Sequence, residues 1–374
     1  MTNKIIKIFI VATEQSGDNL GCDLIKELKK RTNKKIIFMG IGGDKMKSAG
    51  LKITNHISDF KSLGLFELVF NIKKIFNILN NNIVKVLKFN PNLIITIDSP
   101  DFSFRFVKKL KNKRLKSKFI HYVAPTVWAW RPSRAKYIST LYDLLLTIFP
   151  FENKYFEKYN LKTIFVGHPI FNNKIINKKY KNKNYIALLP GSRHGEIKNL
   201  MPYFKSINDY IHQNNLNYYI FIPTLKHLKN SISSYIKDWK IKPLVLINDN
   251  QKQKILSKTK FAIVCSGTAA LEISQRKIPI IVIYKLNIIT EFLFSFLIKV
   301  KFANIINIIK NKEIIPEIIN HNLNHKNLIK IFSKNINNVK KQQKQILEVQ
   351  KILKSLKLKN KSSLNASKEI FKII

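Results

Sequence analysis

Short runs of almost uninterrupted apolar, β-branched residues recur along this chain, each followed by a stretch with helical spacing, and this alternation limits the fold more than any other feature. Residues 5–12 form the first run, and residues 19–30 follow with apolar positions at helical intervals between an acidic start and a basic end. Residues 35–39, 93–97, 119–123 and 144–149 repeat the apolar pattern. A strand with one wet face alternates apolar and polar side chains; a strand covered on both faces does not. The sequence therefore predicts an α/β fold with parallel strands and helices on both sides of the sheet.

Residues 171–184 are rich in lysine and asparagine, have little to bury, and are read as a linker. The alternation resumes at 185–189, 218–222, 243–247, 261–265 and 279–284, with helices expected at 197–213, 251–257 and 268–275. Two doubly wound domains are expected, residues 1–170 and 171–344. Ligands in such sheets bind beyond the carboxyl ends of the strands, so the default site is a cleft served by both domains. After Lys326 the apolar residues Phe332, Ile336, Val339, Ile346, Val349, Ile352 and Leu353 keep near-helical spacing. This predicts amphipathic terminal helices docked on the body.

Lys and Arg number 67 against 22 Asp and Glu, a formal charge of +45. Such an excess bears on association rather than fold. The lysines are scattered among asparagines and isoleucines, whereas nucleic-acid binders concentrate their charge on one face, so nucleic acid is not expected as a partner. Attraction to anionic lipid or phosphate is. Cys22 and Cys265 lie in different expected domains and in no metal-ligand spacing, which reads as two free thiols in a reducing compartment. The first residues read as a strand and not as an export signal. The apolar stretches at 288–300 and 305–309 are interrupted by Glu291 and Lys299 or are too short to span a bilayer.

Leu189-Pro190-Gly191-Ser192-Arg193-His194-Gly195-Glu196 ends a strand and opens a helix. Exposed amides and the planar Arg193 donors suit phosphate, although a plain turn with a surface arginine has the same form. Cys265-Ser266-Gly267-Thr268 repeats the logic, with hydroxyls that serve either a diphosphate or an N-cap. Neither segment is the phosphate loop of nucleotide hydrolases. Glu14, Ser16, Gly17 and Asp18 follow the first strand, where they can hold a sugar or cap the next helix. Asp98 follows the strand at 93–97: it can be a general base or, with Asp101, form the turn around Pro100. His121 and His168 have no companion at zinc-like spacing, so no metal site is expected. The helical stretch from Leu63 to Leu79, with Leu65, Phe66, Val69, Phe70, Ile72 and Phe76, is either a buried helix or an apolar patch rimmed by lysines at a membrane surface.

These motifs, in this order, resemble the lipid-A-disaccharide synthases over nearly the whole chain. The most diagnostic portion is Ile97-Asp98-Ser99-Pro100-Asp101-Phe102 followed by Tyr122-Val123-Ala124-Pro125-Thr126-Val127-Trp128-Ala129-Trp130-Arg131. Gly167-His168-Pro169, the Gly191 and Gly267 segments, Tyr284-Lys285, Asn304 and Pro316-Glu317 continue it. Thr13, Gln15, Ala303 and Asn320 depart from the usual family residues.

The resemblance implies two facing Rossmann-like domains of the B-type glycosyltransferase fold, with C-terminal helices (345–374) crossing back to the first domain. It implies transfer of diacylglucosamine from UDP-2,3-diacylglucosamine to 2,3-diacylglucosamine 1-phosphate, with a β-1′,6 linkage and release of UDP, and no cofactor. Asp98 is implied as general base, with Arg193 and the Gly191, Ser192, Ser266, Gly267 and Thr268 loops on the departing UDP. Glu317 is implied for the ribose, and Asn304 and Glu272 for the donor pocket. Family members act at the cytoplasmic face of the bacterial inner membrane, and some are homodimers. Two other readings remain: a UDP-sugar transferase for another lipid-linked acceptor, such as a peptidoglycan precursor, and a non-enzymatic basic binding module.

Overall fold

The computed structural model describes residues 5–60, 68–172, 184–265, 267–286 and 301–374, the side chains of 68–72 aside. The chain divides into two compact units, Met1–Asn172 with Leu356–Ile374, and Asn173–Ser355.

In the first unit, β1 (Ile6–Ala12), β2 (Ile36–Gly42), β3 (Leu51–His56), β4 (Leu93–Ile97), β5 (Lys118–Tyr122), β6 (Leu144–Thr147) and β7 (Thr163–Phe165) pair in the order β3-β2-β1-β4-β5-β6-β7. Every pairing is parallel. The helices are α1 (Gln15–Lys29), α2 (Asp44–Ser48), α3 (Leu68–Phe89), α4 (Pro100–Lys111), α5 (Arg134–Ser139) and α6 (Lys154–Glu157). Successive side chains of β4 serve opposite faces. Ile94 joins a core with Phe104, Phe106 and Leu79, while Ile95 and Ile97 join another with Leu24, Ile25 and Ile370. Two cores on one sheet explain why the strands read as unbroken apolar runs. The last helix, Ser362–Phe371, buries Ala366 and Ile370 beside α1 and accepts a bond from Arg31 at Ser367.

In the second unit, β8 (Tyr185–Leu189), β9 (Tyr219–Pro223), β10 (Leu244–Leu246), β11 (Thr259–Cys265), β12 (Ile280–Tyr284) and β13 (Glu317–Ile319) form a sheet in the order β10-β9-β8-β11-β12-β13. It too is parallel throughout. Its helices include α7 (His194–Gln213), α8 (Lys229–Tyr235), α9 (Asp249–Ser257) and α10 (Thr268–Gln275). The helix Val339–Leu356 is tied to this unit, because Gln345 bonds both the amide and the carbonyl of Ile280, and Gln350 donates to Ser274 O.

Strand order reverses between β1 and β4 in the first unit and between β8 and β11 in the second, the positions where such sheets open a crevice for ligands. The four loops singled out in the sequence leave from those four strands. Both cysteines are buried free thiols, one in each unit. Among the described residues, no helix is long and apolar enough to cross a membrane.

Candidate functional site

At the first reversal, parallel pairing sets Ala12 opposite Ile97 and brings the loops that follow them together. The Thr13 hydroxyl donates to Ser99 Oγ at 2.7 Å. Asp98 and Ser99 both take the left-handed conformation, at φ +55° and +48°. Asp98 Oδ1 accepts from the Ser99 amide at 2.8 Å, its own amide is held by Tyr122 O at 2.9 Å, and its carbonyl accepts from the Ser103 hydroxyl. Val123, directly after β5, lies at φ +78°, a true outlier for a β-branched residue, and Arg131 lies at +50°. Two consecutive left-handed residues with side chains, and a valine beside them, concentrate backbone strain at one end of one sheet. Strain held by surrounding structure is a mark of functional sites, at roughly 1–3 kcal/mol per residue. Asp98 is half-buried there.

The neighbouring acids divide. Glu14 and Ser16 are exposed at the start of α1, whereas Gly17 is buried with Ala12 and Ile97 close around it. Asp18 is fully buried and unavailable to a ligand. Its carboxylate accepts from the amides of Gly43, Lys45 and Met46 at 2.8, 3.2 and 3.0 Å and so caps α2. A Cβ on Gly43 would lie 2.6 Å from Asp18 Oδ2, which explains the glycine there. Both carboxylate oxygens of Asp18 thus serve backbone amides in this structure.

At the second reversal lies a cavity of about 530 Å³ beyond the ends of β8, β9, β10 and β11. Gly191, Ser192, Arg193, Gly267, Thr268 and Glu272 line it, six of the residues expected for the donor. Ser266 lies outside the described residues. The Arg193 side chain is 72% exposed, its guanidinium 3.6 Å from Glu196. Gly191 has φ +106°, and a Cβ there would collide with Glu196 Oε2. That oxygen already accepts from the amides of Ser192 and Arg193 at 2.8 and 3.2 Å. An acid of the same helix thus holds these two amides in this structure. α10 differs: it opens at exposed Gly267 with φ +134° and no side-chain cap among the described residues, so its amides and dipole face the cavity. Burial is the main cause that raises the Cys265 thiol to about 12, so it stays protonated.

Glu272 also lines the cavity, bound to Lys252 at 3.0 Å. Glu317 and Asn304 do not line it. Glu317 accepts from the amides of Ala303 and Asn304 and from Asn307 Nδ2, and burial raises its carboxyl. Asn304 is buried and caps the helix Ile305–Lys310 through Ile306 N, and its own Nδ2 is buried with no hydrogen-bond partner among the described residues. Sequence reasoning missed Thr224, Lys226, Ile247, Asp249 and Lys252, which also line it. No local pattern marks them, because they follow β9 and β10 or belong to α9, and only the strand order brings them to the cavity.

Of the expected membrane patch, Leu65 and Phe66, and the side chains of Val69, Phe70 and Ile72, lie outside the described residues. Phe76 is 38% exposed, with Arg105 and Lys109 over its ring at 5.9 and 5.7 Å.

A family profile described as lipid-A-disaccharide synthetase matches residues 8–374. The lipid-A-disaccharide synthase of Rickettsia akari is 35% identical over 382 residues, covering 98% of this chain and 95% of that protein. The synthase of Rhodospirillum centenum is 30% identical, covering 92% and 88%. Among solved structures, MurG of Acinetobacter baumannii superposes with a TM-score of 0.57 at 12% identity, covering 99% of each chain. At that identity the likeness carries the fold alone, that of B-type glycosyltransferases built from two Rossmann-like units.

Proposed function

This chain belongs to the lipid-A-disaccharide synthase family, and on that premise we propose how its residues divide the work. The protein is a glycosyltransferase that forms the lipid A disaccharide. The donor is UDP-2,3-diacylglucosamine and the acceptor 2,3-diacylglucosamine 1-phosphate; attack of the acceptor 6-hydroxyl on the anomeric carbon inverts it, gives the β-1′,6 bond and releases UDP.

Asp98 takes the proton of the attacking hydroxyl. The observation that carries this assignment is the strained turn that fixes the carboxylate at a strand end. The nucleotide lies in the cavity at the ends of β8 to β11. As the bond to UDP breaks, charge grows on the diphosphate, and donors that meet it there lower the barrier more than they strengthen ground-state binding. Arg193 and the amide end of α10 are those donors. Glu196 acts indirectly, holding the loop that aims Arg193. Glu14 and Ser16 contact the acceptor sugar. Phe76, ringed by cations, supports seating on an anionic membrane surface, where the acyl chains of both substrates reside.

Transfer assays test the reading directly. Radiolabelled UDP-2,3-diacylglucosamine is offered with 2,3-diacylglucosamine 1-phosphate or with an undecaprenyl-linked acceptor. Disaccharide from the first alone is expected; product only from the second refutes the acceptor assignment.

A further inference from the structure

One cluster in the first unit has no part in the roles above. Trp130 and Arg131 end the loop that follows β5, and Arg134 opens α5. The Arg131 guanidinium lies 4.1 Å from the centroid of the Trp130 ring, and that of Arg134 lies 5.5 Å from the same centroid. Arg134 is largely enclosed and fixed by Asp101 at 2.6 Å. Arg131 is exposed, and its backbone holds the left-handed conformation at φ +50°. A surface arginine gains nothing from that conformation. Here it comes with a guanidinium over an indole, whose ring also has the Arg134 guanidinium 5.5 Å from its centroid, so two cations share one aromatic ring.

Asp101 offsets one of the two charges, and an anion facing the pair would offset the other. Arginine on an aromatic plane keeps its in-plane N–H fork free to meet two oxygens of one acceptor, as in phosphate recognition. Asp101 also ties the cluster to the candidate base, since it lies in the first turn of α4, three residues after Asp98.

We propose that Arg131 and Arg134, held on Trp130, bind the phosphomonoester of the acceptor and select the phosphorylated sugar over its 1-hydroxyl form. This rests on the acceptor reading above and extends it to the residues that recognise the phosphate.

The test compares initial rates on 2,3-diacylglucosamine 1-phosphate and on 2,3-diacylglucosamine for the wild type, Arg131→Ala and Arg131→Lys. UDP binding is followed calorimetrically to confirm that each variant folds. Arg131→Ala raises KM for the phosphorylated acceptor by about tenfold or more, as expected for loss of a charge-assisted hydrogen bond. It leaves kcat, UDP binding and the rate on the 1-hydroxyl sugar near wild type, and Arg131→Lys recovers only part of the loss. If Arg131→Ala discriminates between the two acceptors as well as the wild type does, the phosphate seat is wrong and the transfer reaction stands. If the wild type transfers to neither, the acceptor reading fails and the phosphate seat with it. Co-sedimentation with phosphatidylglycerol vesicles separates a lipid source of phosphate. Equal binding by wild type and Arg131→Ala is expected, and loss of vesicle binding with acceptor discrimination intact overturns the proposal in favour of a headgroup contact.

Discussion

Replacing Asp98 in two ways separates its chemistry from its place in the backbone. Asparagine is one of the few residues with a side chain that tolerates the left-handed region, and its Oδ1 can keep accepting from the Ser99 amide, a bond of 2.8 Å in the parent. Asp98→Asn should therefore change stability by less than about 0.5 kcal/mol. Alanine loses both features: φ of +55° costs it roughly 1–2 kcal/mol, and the orphaned amide adds about 1 kcal/mol. The sum, about 2–3 kcal/mol, corresponds to a fall in Tm of roughly 5–10 °C for a unit of this size. Neither side chain accepts a proton, so kcat falls in both by about 10²–10⁴, the usual yield of a positioned general base. Steady-state transfer assays and thermal unfolding on the same preparations should thus give equal catalytic loss and unequal stability loss. Asp98→Asn with kcat within about tenfold of the parent would falsify the general-base role. An Asp98→Asn Tm as low as that of Asp98→Ala would show that the carboxylate matters to the turn itself.

Three further outcomes follow from the same geometry. Gly191→Ala should lower the Tm through its positive φ and through collision with Glu196, and in a Glu196→Ala background the loss should shrink, because the carboxylate is gone and only the φ cost of about 1–2 kcal/mol and the contact with the residual Cβ remain; additive losses across this cycle would mean that the carboxylate is not what fixes the glycine. Arg193→Ala should weaken UDP binding by about tenfold, discounted for the exposure of the side chain, with Arg193→Lys between the two; unchanged calorimetric affinity removes Arg193 from the diphosphate. Burial raises the Glu152 carboxyl to about 8 despite bonds from the Phe149 amide and the Trp128 indole, while the unfolded chain releases that proton near 4.5. Between those values the folded state binds the extra proton, so stability declines as pH rises from 4.5 through 8. Glu152→Gln should flatten that decline in urea unfolding, and an unaltered slope would reject the buried acid as its source.

The sequence by itself determined the two parallel sheets, because strands covered on both faces must be apolar at nearly every position, and β1, β4, β8 and β12 satisfy that locally, with Lys7 and Thr96 the exceptions. It also marked the loops at the reversal points, since strand ends that open into helices need glycine, small polar residues and acids. Edge strands β3, β7 and β13 were not legible: each pairs on one side only, two span just three residues, and none carries a long apolar run. What each polar residue of those loops does was decided by tertiary structure. Asp18 and Glu196 have the composition of ligand-binding acids, yet each bonds backbone amides, one on a neighbouring helix and one on its own. Glu317 and Asn304 follow suit near β13, whereas Thr224 and Lys252 reach the cavity from segments with no distinguishing pattern. Hydrophobic periodicity is a property of neighbouring residues and survives in one dimension. Whether a carboxylate meets an amide or a ligand depends on which strands lie side by side, and only the folded chain fixes that order.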